Sequence, residues 1–175
     1  MPAPFSPIAL RQRLASFPAA LRAAVSVAAG DDVRWKPGPE HWSILEICWH
    51  MADEEVEDFR PRAELTLRDP SAAWPRLDLA GVAEVRRYND RELEAALRAF
   101  ESARRANVDW LDSLPPSTDW ARAHVHPKFG PLAAGMLLAS WAAHDALHLR
   151  QVSKRLHQMA ARDAGEWPVA YAGEW

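Results

Sequence analysis

Two histidines in the C-terminal third of the chain, His144 and His148, have the spacing of paired metal ligands on a helix. Residues four positions apart lie on one helical face with Cβ atoms about 5–6 Å apart, so both imidazoles can reach one ion. Helical geometry places mostly apolar neighbours within about 60° of His144. These neighbours are Leu137, Ser140, Trp141, Leu147 and Gln151. A histidine pair at a solvated helix rim has the same spacing, so the pair alone is a weak indication of a metal site.

His50 is the third candidate ligand and lies on an earlier helical segment. Several acids project within about 60° of it and could orient its imidazole, accept a proton or attract a cation. The acids singled out as candidates are Glu46, Asp53 and Glu54. A solvated acidic stripe that happens to contain a histidine is the alternative interpretation. The broad apolar arc around the rest of the helix favours a polar stripe that lines a cleft.

Prolines separate the helical segments on which these histidines lie. The chain has 14 prolines and 7 glycines, and no run shows the strict alternation of a half-buried strand. Ser43 followed three positions later by Glu46 predicts a capping box at a helix start. Four helices are predicted, with the first broken near Pro18, over residues 7–29, 43–67, 82–114 and 131–159.

Four amphipathic helices in a chain of 175 residues predict an all-α protein built as a four-helix bundle. The connections over 68–81 and 115–130 are too long for tight hairpins, so the helices need not simply alternate in direction. We expect the bundle to span residues 1–160 and a C-terminal tail to span 161–175.

Two sequence blocks carry a family resemblance. The first is WSILEICWH at 42–50, followed by Asp53 and Glu54, and the second is HPKFGP at 126–131 with LASWAAHDALHLRQ at 138–151. These blocks resemble the DinB-like superfamily, a group of metal-dependent hydrolases that includes thiol-S-transferases using low-molecular-weight thiols. The resemblance runs from near the N-terminus to about Leu156.

The resemblance implies a DinB/YfiT-like four-helix bundle with an atypical order of helix directions. It also implies a divalent metal, nickel or zinc, bound by one histidine of the second helix and two of the fourth. Residue by residue, these match His50, His144 and His148. Members are often homodimers, and the resemblance permits a homodimer here.

Three imidazoles leave a divalent ion an open position for water or a thiolate. We therefore expect a metal-dependent thiol-S-transferase or hydrolase that acts on small electrophilic substrates, with no catalytic side chain assigned. The alternative is a non-catalytic metal-binding bundle with a structural, dimerisation or stress-related interaction role. Both remain open from the sequence, and so does the question of whether the protein is an enzyme.

Composition narrows the remaining function classes. A net charge of −3, with basic residues spread along the chain, argues against nucleic-acid binding. No apolar run approaches the ~18 residues of a membrane span. The first thirty residues contain three arginines and no acid, loosely like a transit peptide, but their leucine spacing favours helix and a cytoplasmic location.

Several other side chains could be reactive, but we predict structural roles for them. Cys48 lies on the apolar side of its helix and is predicted to be a buried, inert thiol. Trp141 is expected mainly to pack in the core. The remaining histidines are expected at the surface or in loops, namely His41, His124, His126 and His157.

Overall fold

Helices dominate the computed structural model, which describes residues 4–28, 30–77, 81–173 and 175. The α-helices of this part of the chain are α1 (Pro7–Val25), α2 (Ile44–Glu57), α3 (Phe59–Arg68), α4 (Val82–Val85), α5 (Leu93–Ser113) and α6 (Ala134–Asp163). Short 3₁₀ turns lie at Gly30–Arg34, Tyr88–Asp90 and Ala170–Ala172. The predicted all-α class and the four-helix bundle are confirmed.

The bundle is a closed ring of packed helices. Helix α1 packs against α5 and α6, α2 packs against the same two helices, and α3 extends α2 along α6. Fully buried side chains from all four sides fill the centre, among them Leu21, Ile47, Phe100 and Val152. This arrangement brings the middle of α2 beside the middle of α6.

Helix α1 is continuous through Pro18, so the predicted break there is wrong. A proline inside a helix has no N–H to donate to the carbonyl four residues earlier, which here belongs to Leu14. The Leu14 carbonyl instead accepts a hydrogen bond of 2.9 Å from Nη1 of Arg104 on α5. A neighbouring helix therefore supplies the donor that the proline lacks.

The predicted second helix is divided into α2 and α3 at Asp58, whose φ of −116° and ψ of −86° are not helical. Pro61 is the cause in the sequence, because its ring would clash with the carbonyl of Glu57 in a continuous helix. The break turns α3 so that Phe59 packs against α6, with its ring stacked on Trp141 at a centroid distance of 5.8 Å.

The predicted third helix is also interrupted. Between α4 and α5 the chain forms a 3₁₀ turn, and Arg87 adopts a left-handed φ of 52°. Asn89 and Asp90 are turn-forming residues and break the helical pattern at this point. The segment folds over α2, where Arg86 pairs with Glu57 at 2.8 Å.

A β-hairpin precedes α6 and was not predicted. Strands β1 (Ala123–His126) and β2 (Gly130–Ala133) pair antiparallel, with His126 opposite Gly130. Four residues per strand give too short an alternation to stand out in the sequence. Gly130 has a φ of +73°, which suits a turn residue without a Cβ atom.

Helix α6 ends at Asp163, beyond its predicted end at Met159. No helix in the described part of the chain is long and apolar enough to cross a membrane.

Candidate metal centre

Two helices bring three histidines together. Ser43 caps α2: its Oγ accepts from the N–H of Glu46 at 3.1 Å, and its own N–H donates to Oε2 of Glu46 at 2.8 Å. This capping box fixes the start of α2 and hence the face on which His50 lies. One nitrogen from each of His50, His144 and His148 lies within 4.8 Å of the others.

The two histidines of α6 contact each other directly. Nε2 of His148 lies 2.9 Å from Nε2 of His144, and Nδ1 of His148 lies 2.8 Å from Oε1 of Gln151. The His50 ring lies 4.8 Å from that of His148 and 5.5 Å from that of His144, measured between centroids. All three rings therefore surround one point between α2 and α6.

Burial keeps these imidazoles neutral. Burial and, to a smaller extent, the neighbouring His148 lower the pKa of His50 to about 4. Burial and the two other histidines lower the pKa of His144 to about 3. The pKa of His148 is also lowered by burial. Neutral imidazoles keep a lone pair, which is the form that binds a metal ion.

The donor set fits a divalent ion. Metal–nitrogen bonds of about 2.0–2.1 Å place neighbouring ligand nitrogens about 3–3.4 Å apart, close to the 2.9 Å between the Nε2 atoms of His144 and His148. Imidazole suits zinc, nickel, copper and iron, whereas magnesium and calcium prefer oxygen ligands. His50, His144 and His148 are therefore suited to hold an ion such as zinc or nickel.

Two aromatic rings line the cluster. Trp42 lies 4.7 Å from the ring of His50 and is nearly parallel to that of His148, at 6.5 Å and 11°. Phe59 contacts His144 edge-on at 5.0 Å. Nε of Arg155 donates to the carbonyl of Trp42 at 2.6 Å and so fixes the loop that carries this ring. These rings give the cluster apolar neighbours on two sides.

The structure separates the acids that the sequence places near His50. Glu46 is fully engaged, because besides its part in the capping box its Oε1 accepts from Nζ of Lys36 at 2.8 Å. Asp53 accepts from Arg86 and from the hydroxyl of Tyr88. These two acids therefore have structural roles.

Glu54 is the predicted acid that lies beside His50. Its Oε1 is 3.9 Å from Nδ1 of His50, which is too long for a hydrogen bond. Burial and the nearby Asp58 raise the pKa of Glu54 above its ordinary value.

A buried polar network adjoins the cluster and was missed by the sequence analysis. Arg104 on α5 donates to both oxygens of Glu55 and of Asp145, at 2.7–2.8 Å. Glu55 also accepts from Nε1 of Trp141 at 2.6 Å and from Asn107 at 2.9 Å. The network ties α2 and α6 together next to His144. Its sequence signal is an arginine within the apolar face of α5, four residues after Phe100 and four before Val108.

The other candidate residues lie elsewhere. His124 is buried on β1 rather than in a loop or at the surface; it stacks on Trp74 at 4.5 Å, and its Nδ1 lies 3.0 Å from the carbonyl oxygen of Pro70. His157 is partly buried against the ring of Trp175, 5.4 Å away, rather than exposed. Cys48 is buried as predicted, and burial raises the pKa of its thiol to about 12. Trp141 is a buried core residue, also as predicted.

Three further residues contact the histidines, and the sequence alone assigns them no role at the site: Gln151, Trp42 and Phe59. Gln151 was placed on the histidine face, and its position three residues after His148 is the signal for their contact. The proximity of Trp42 and Phe59 to the histidines depends on the loop before α2 and on the break at Asp58, which helical periodicity does not reveal.

Comparison with known proteins identifies a family and a similar fold. Residues 13–152 match the family described as the DinB superfamily. No curated protein matches the chain. Among solved structures, the fold is similar to that of YfiT from Bacillus subtilis, described as a probable metal-dependent hydrolase with an unusual four-helix bundle topology. The TM-score is 0.79 at 17% identity, and the alignment covers 91% of each chain.

Proposed function

The chain belongs to the DinB superfamily, and on that premise we propose that it is a divalent-metal-dependent enzyme whose ion is held by His50, His144 and His148. Its substrates are small electrophiles, and its nucleophile is water or a low-molecular-weight thiol. The protein is accordingly a hydrolase or a thiol-S-transferase, with zinc or nickel as its metal. The homodimer and the cytoplasmic location stay predictions.

One observation carries this proposal: three neutral imidazole nitrogens from two separate helices lie within 4.8 Å of one another. Burying three uncharged polar rings together is unfavourable unless their lone pairs have partners. A shared cation provides such a partner for all three. Three protein ligands, rather than four, are typical of catalytic sites that keep a position open.

A divalent ion held there would lower the pKa of a bound water or thiol and so supply a nucleophile near neutral pH. The surrounding side chains favour this chemistry. Trp42 and Phe59 lie against the histidines and offer apolar surface to a small organic substrate. Glu54, whose Oε1 lies 3.9 Å from Nδ1 of His50 and whose pKa burial raises to about 8, is the acid beside the cluster that could exchange a proton near neutral pH.

The experiment is a turnover screen of the purified protein, stripped with chelator and reloaded with zinc or nickel. An activated ester reports hydrolysis, and an aryl halide with each of several low-molecular-weight thiols reports transfer. We expect turnover that needs the metal and is lost in His144→Ala but kept in the matched control His157→Ala.

The substrate that reacts decides between the two chemistries. Ester cleavage without added thiol supports a hydrolase, and product that forms only with thiol supports a transferase. Stoichiometric metal with no turnover on either substrate class would overturn the enzyme proposal in favour of a non-catalytic metal-binding bundle.

A further inference from the structure

We propose that Gln151 is a positioning residue of the metal centre: its amide oxygen holds the proton of His148 on Nδ1 and thereby presents the Nε2 lone pair to the ion. The inference rests on the proposed function, since it assigns a role toward the same metal. It concerns a residue that touches a ligand rather than the ion or the substrate.

The contact geometry determines where the proton lies. Oε1 of Gln151 is 2.8 Å from Nδ1 of His148, and a carbonyl oxygen can only accept a hydrogen bond. Nδ1 must therefore be the protonated nitrogen of this neutral ring. Nε2 is then the unprotonated nitrogen, and it faces Nε2 of His144 at 2.9 Å.

Gln151 is well placed to hold this arrangement. It lies three residues after His148 on α6, so the two side chains share one helical face. Both rotamers are restricted, because His148 is buried and Gln151 is partly buried. His50 is different: the nearest Glu54 oxygen lies 3.9 Å from its Nδ1, beyond hydrogen-bond distance. His148 thus has a hydrogen-bond partner outside the cluster, namely Gln151.

Loss of this acceptor should weaken metal binding without removing a ligand. When Nδ1 has no acceptor, the proton can move to Nε2, and a protonated nitrogen cannot bind the ion until it is released. Outer-shell partners of metal-bound histidines typically change metal affinity by about 10- to 100-fold.

The test compares two pairs of variants by zinc titration against a chromophoric chelator. Gln151→Leu should bind zinc about 10- to 100-fold more weakly than the wild type. Gln151→Glu keeps an acceptor oxygen and should bind at least as tightly as the wild type. Gln158 is the matched control, because it lies two turns further along α6 and its Oε1 accepts from Arg155 instead. Gln158→Leu and Gln158→Glu should leave zinc affinity unchanged.

A second measurement needs no metal. Imidazole ¹⁵N NMR of the metal-free protein, with His148 assigned by its absence in His148→Ala, reports which ring nitrogen carries the proton. We expect Nδ1–H for His148 in the wild type and in Gln151→Glu, and a shift toward Nε2–H in Gln151→Leu.

The outcomes separate this inference from the proposed function. Wild type that binds no zinc overturns both. Wild type that binds zinc tightly while Gln151→Leu binds it equally well overturns the role of Gln151 alone. So does a wild-type His148 that carries its proton on Nε2, or a Gln151→Leu defect that Gln158→Leu reproduces.

Discussion

Burial and proximity distinguish the three clustered histidines from ordinary surface histidines. Their pKa values are lowered, so each ring offers a lone pair at neutral pH without first losing a proton. A metal ion therefore meets little proton competition at this site. The same depressed basicity makes these rings poor general acids or bases on their own, which is why their chemistry depends on a bound ion.

Removal of a single ligand should abolish stoichiometric metal in the purified protein. His144→Ala and His148→Ala each leave two imidazoles, too few to hold a divalent ion through purification. Metal content by inductively coupled plasma mass spectrometry is the measurement. His157→Ala is the control, because His157 lies against Trp175 and outside the cluster. Full metal content in both cluster variants would refute the ligand assignment.

In the metal-free protein, the clustered histidines should contribute a loss of stability as the pH falls from about 6.5 toward 4. The folded pKa values of His50 and His144, about 4 and about 3, lie below the ordinary 6.5, so in this window the unfolded chain binds protons that the folded chain does not. Each histidine contributes at most about 1.4 kcal/mol per pH unit.

Three carboxyls oppose this trend, since burial raises the pKa of Asp145 to about 6 and also raises those of Glu54 and Asp58. The histidine contribution is therefore measured as a difference between urea unfolding curves. His144→Gln should lose less stability than the wild type between pH 7 and pH 5. Parallel pH dependence of the two proteins would contradict the lowered pKa of His144.

At the scale of helices, local patterns predict where elements form better than where they break. The four helical regions follow from apolar spacing, and the capping box at Ser43 is present as predicted. Two predictions at prolines fail in opposite ways: a break is predicted at Pro18 and is absent, and no break is predicted at Pro61 although one is present. Pro18 leaves α1 intact because Arg104 reaches the freed carbonyl of Leu14, whereas Pro61 divides α2 from α3. Only tertiary contacts distinguish the two cases.

The candidate site shows the same limit. The spacing of His144 and His148 predicts their shared face, but no periodicity relates them to His50, which precedes them by 94 and 98 residues. The polar stripe around His50 makes it a candidate, and the family resemblance is what groups it with the other two. The outer partners, such as Gln151 and Trp42, depend on rotamers and loop paths that a one-dimensional pattern does not contain.

Substitution of Arg104 should strongly lower the free energy of unfolding, because this residue joins the helices next to the site. Arg104→Met leaves the buried carboxylates of Glu55 and Asp145 without their cation, and removal of one partner of a buried ion pair costs about 3–5 kcal/mol. Urea unfolding measures the loss. Arg98→Met is the control on the same helix, since Arg98 is exposed and its pairing with Glu94 at 3.5 Å is worth about 0–1 kcal/mol. Equal losses in both variants would show that the network does not stabilise the bundle.

For the whole molecule, the position of the ligands couples metal binding to folding. One ligand comes from α2 and two from α6, so an ion at the cluster joins two sides of the bundle that the chain connects only through α3, α4, α5 and the hairpin. The unfolded chain cannot keep these three nitrogens together. Binding to the folded state alone raises its stability by mass action.

Zinc or nickel in excess should therefore raise the melting temperature of the wild-type protein. At an ion concentration 100 times the dissociation constant, the gain is about 2.7 kcal/mol, which corresponds to about 5–10 °C for a domain of this size. Differential scanning calorimetry with and without metal measures the shift. His157→Ala should show the full shift, and His50→Ala should lose most of it because α2 then contributes no imidazole. An equal shift in His50→Ala would place the stabilising ion elsewhere, for instance at the surface carboxylates, and would remove the link between the metal and the packing of α2 on α6.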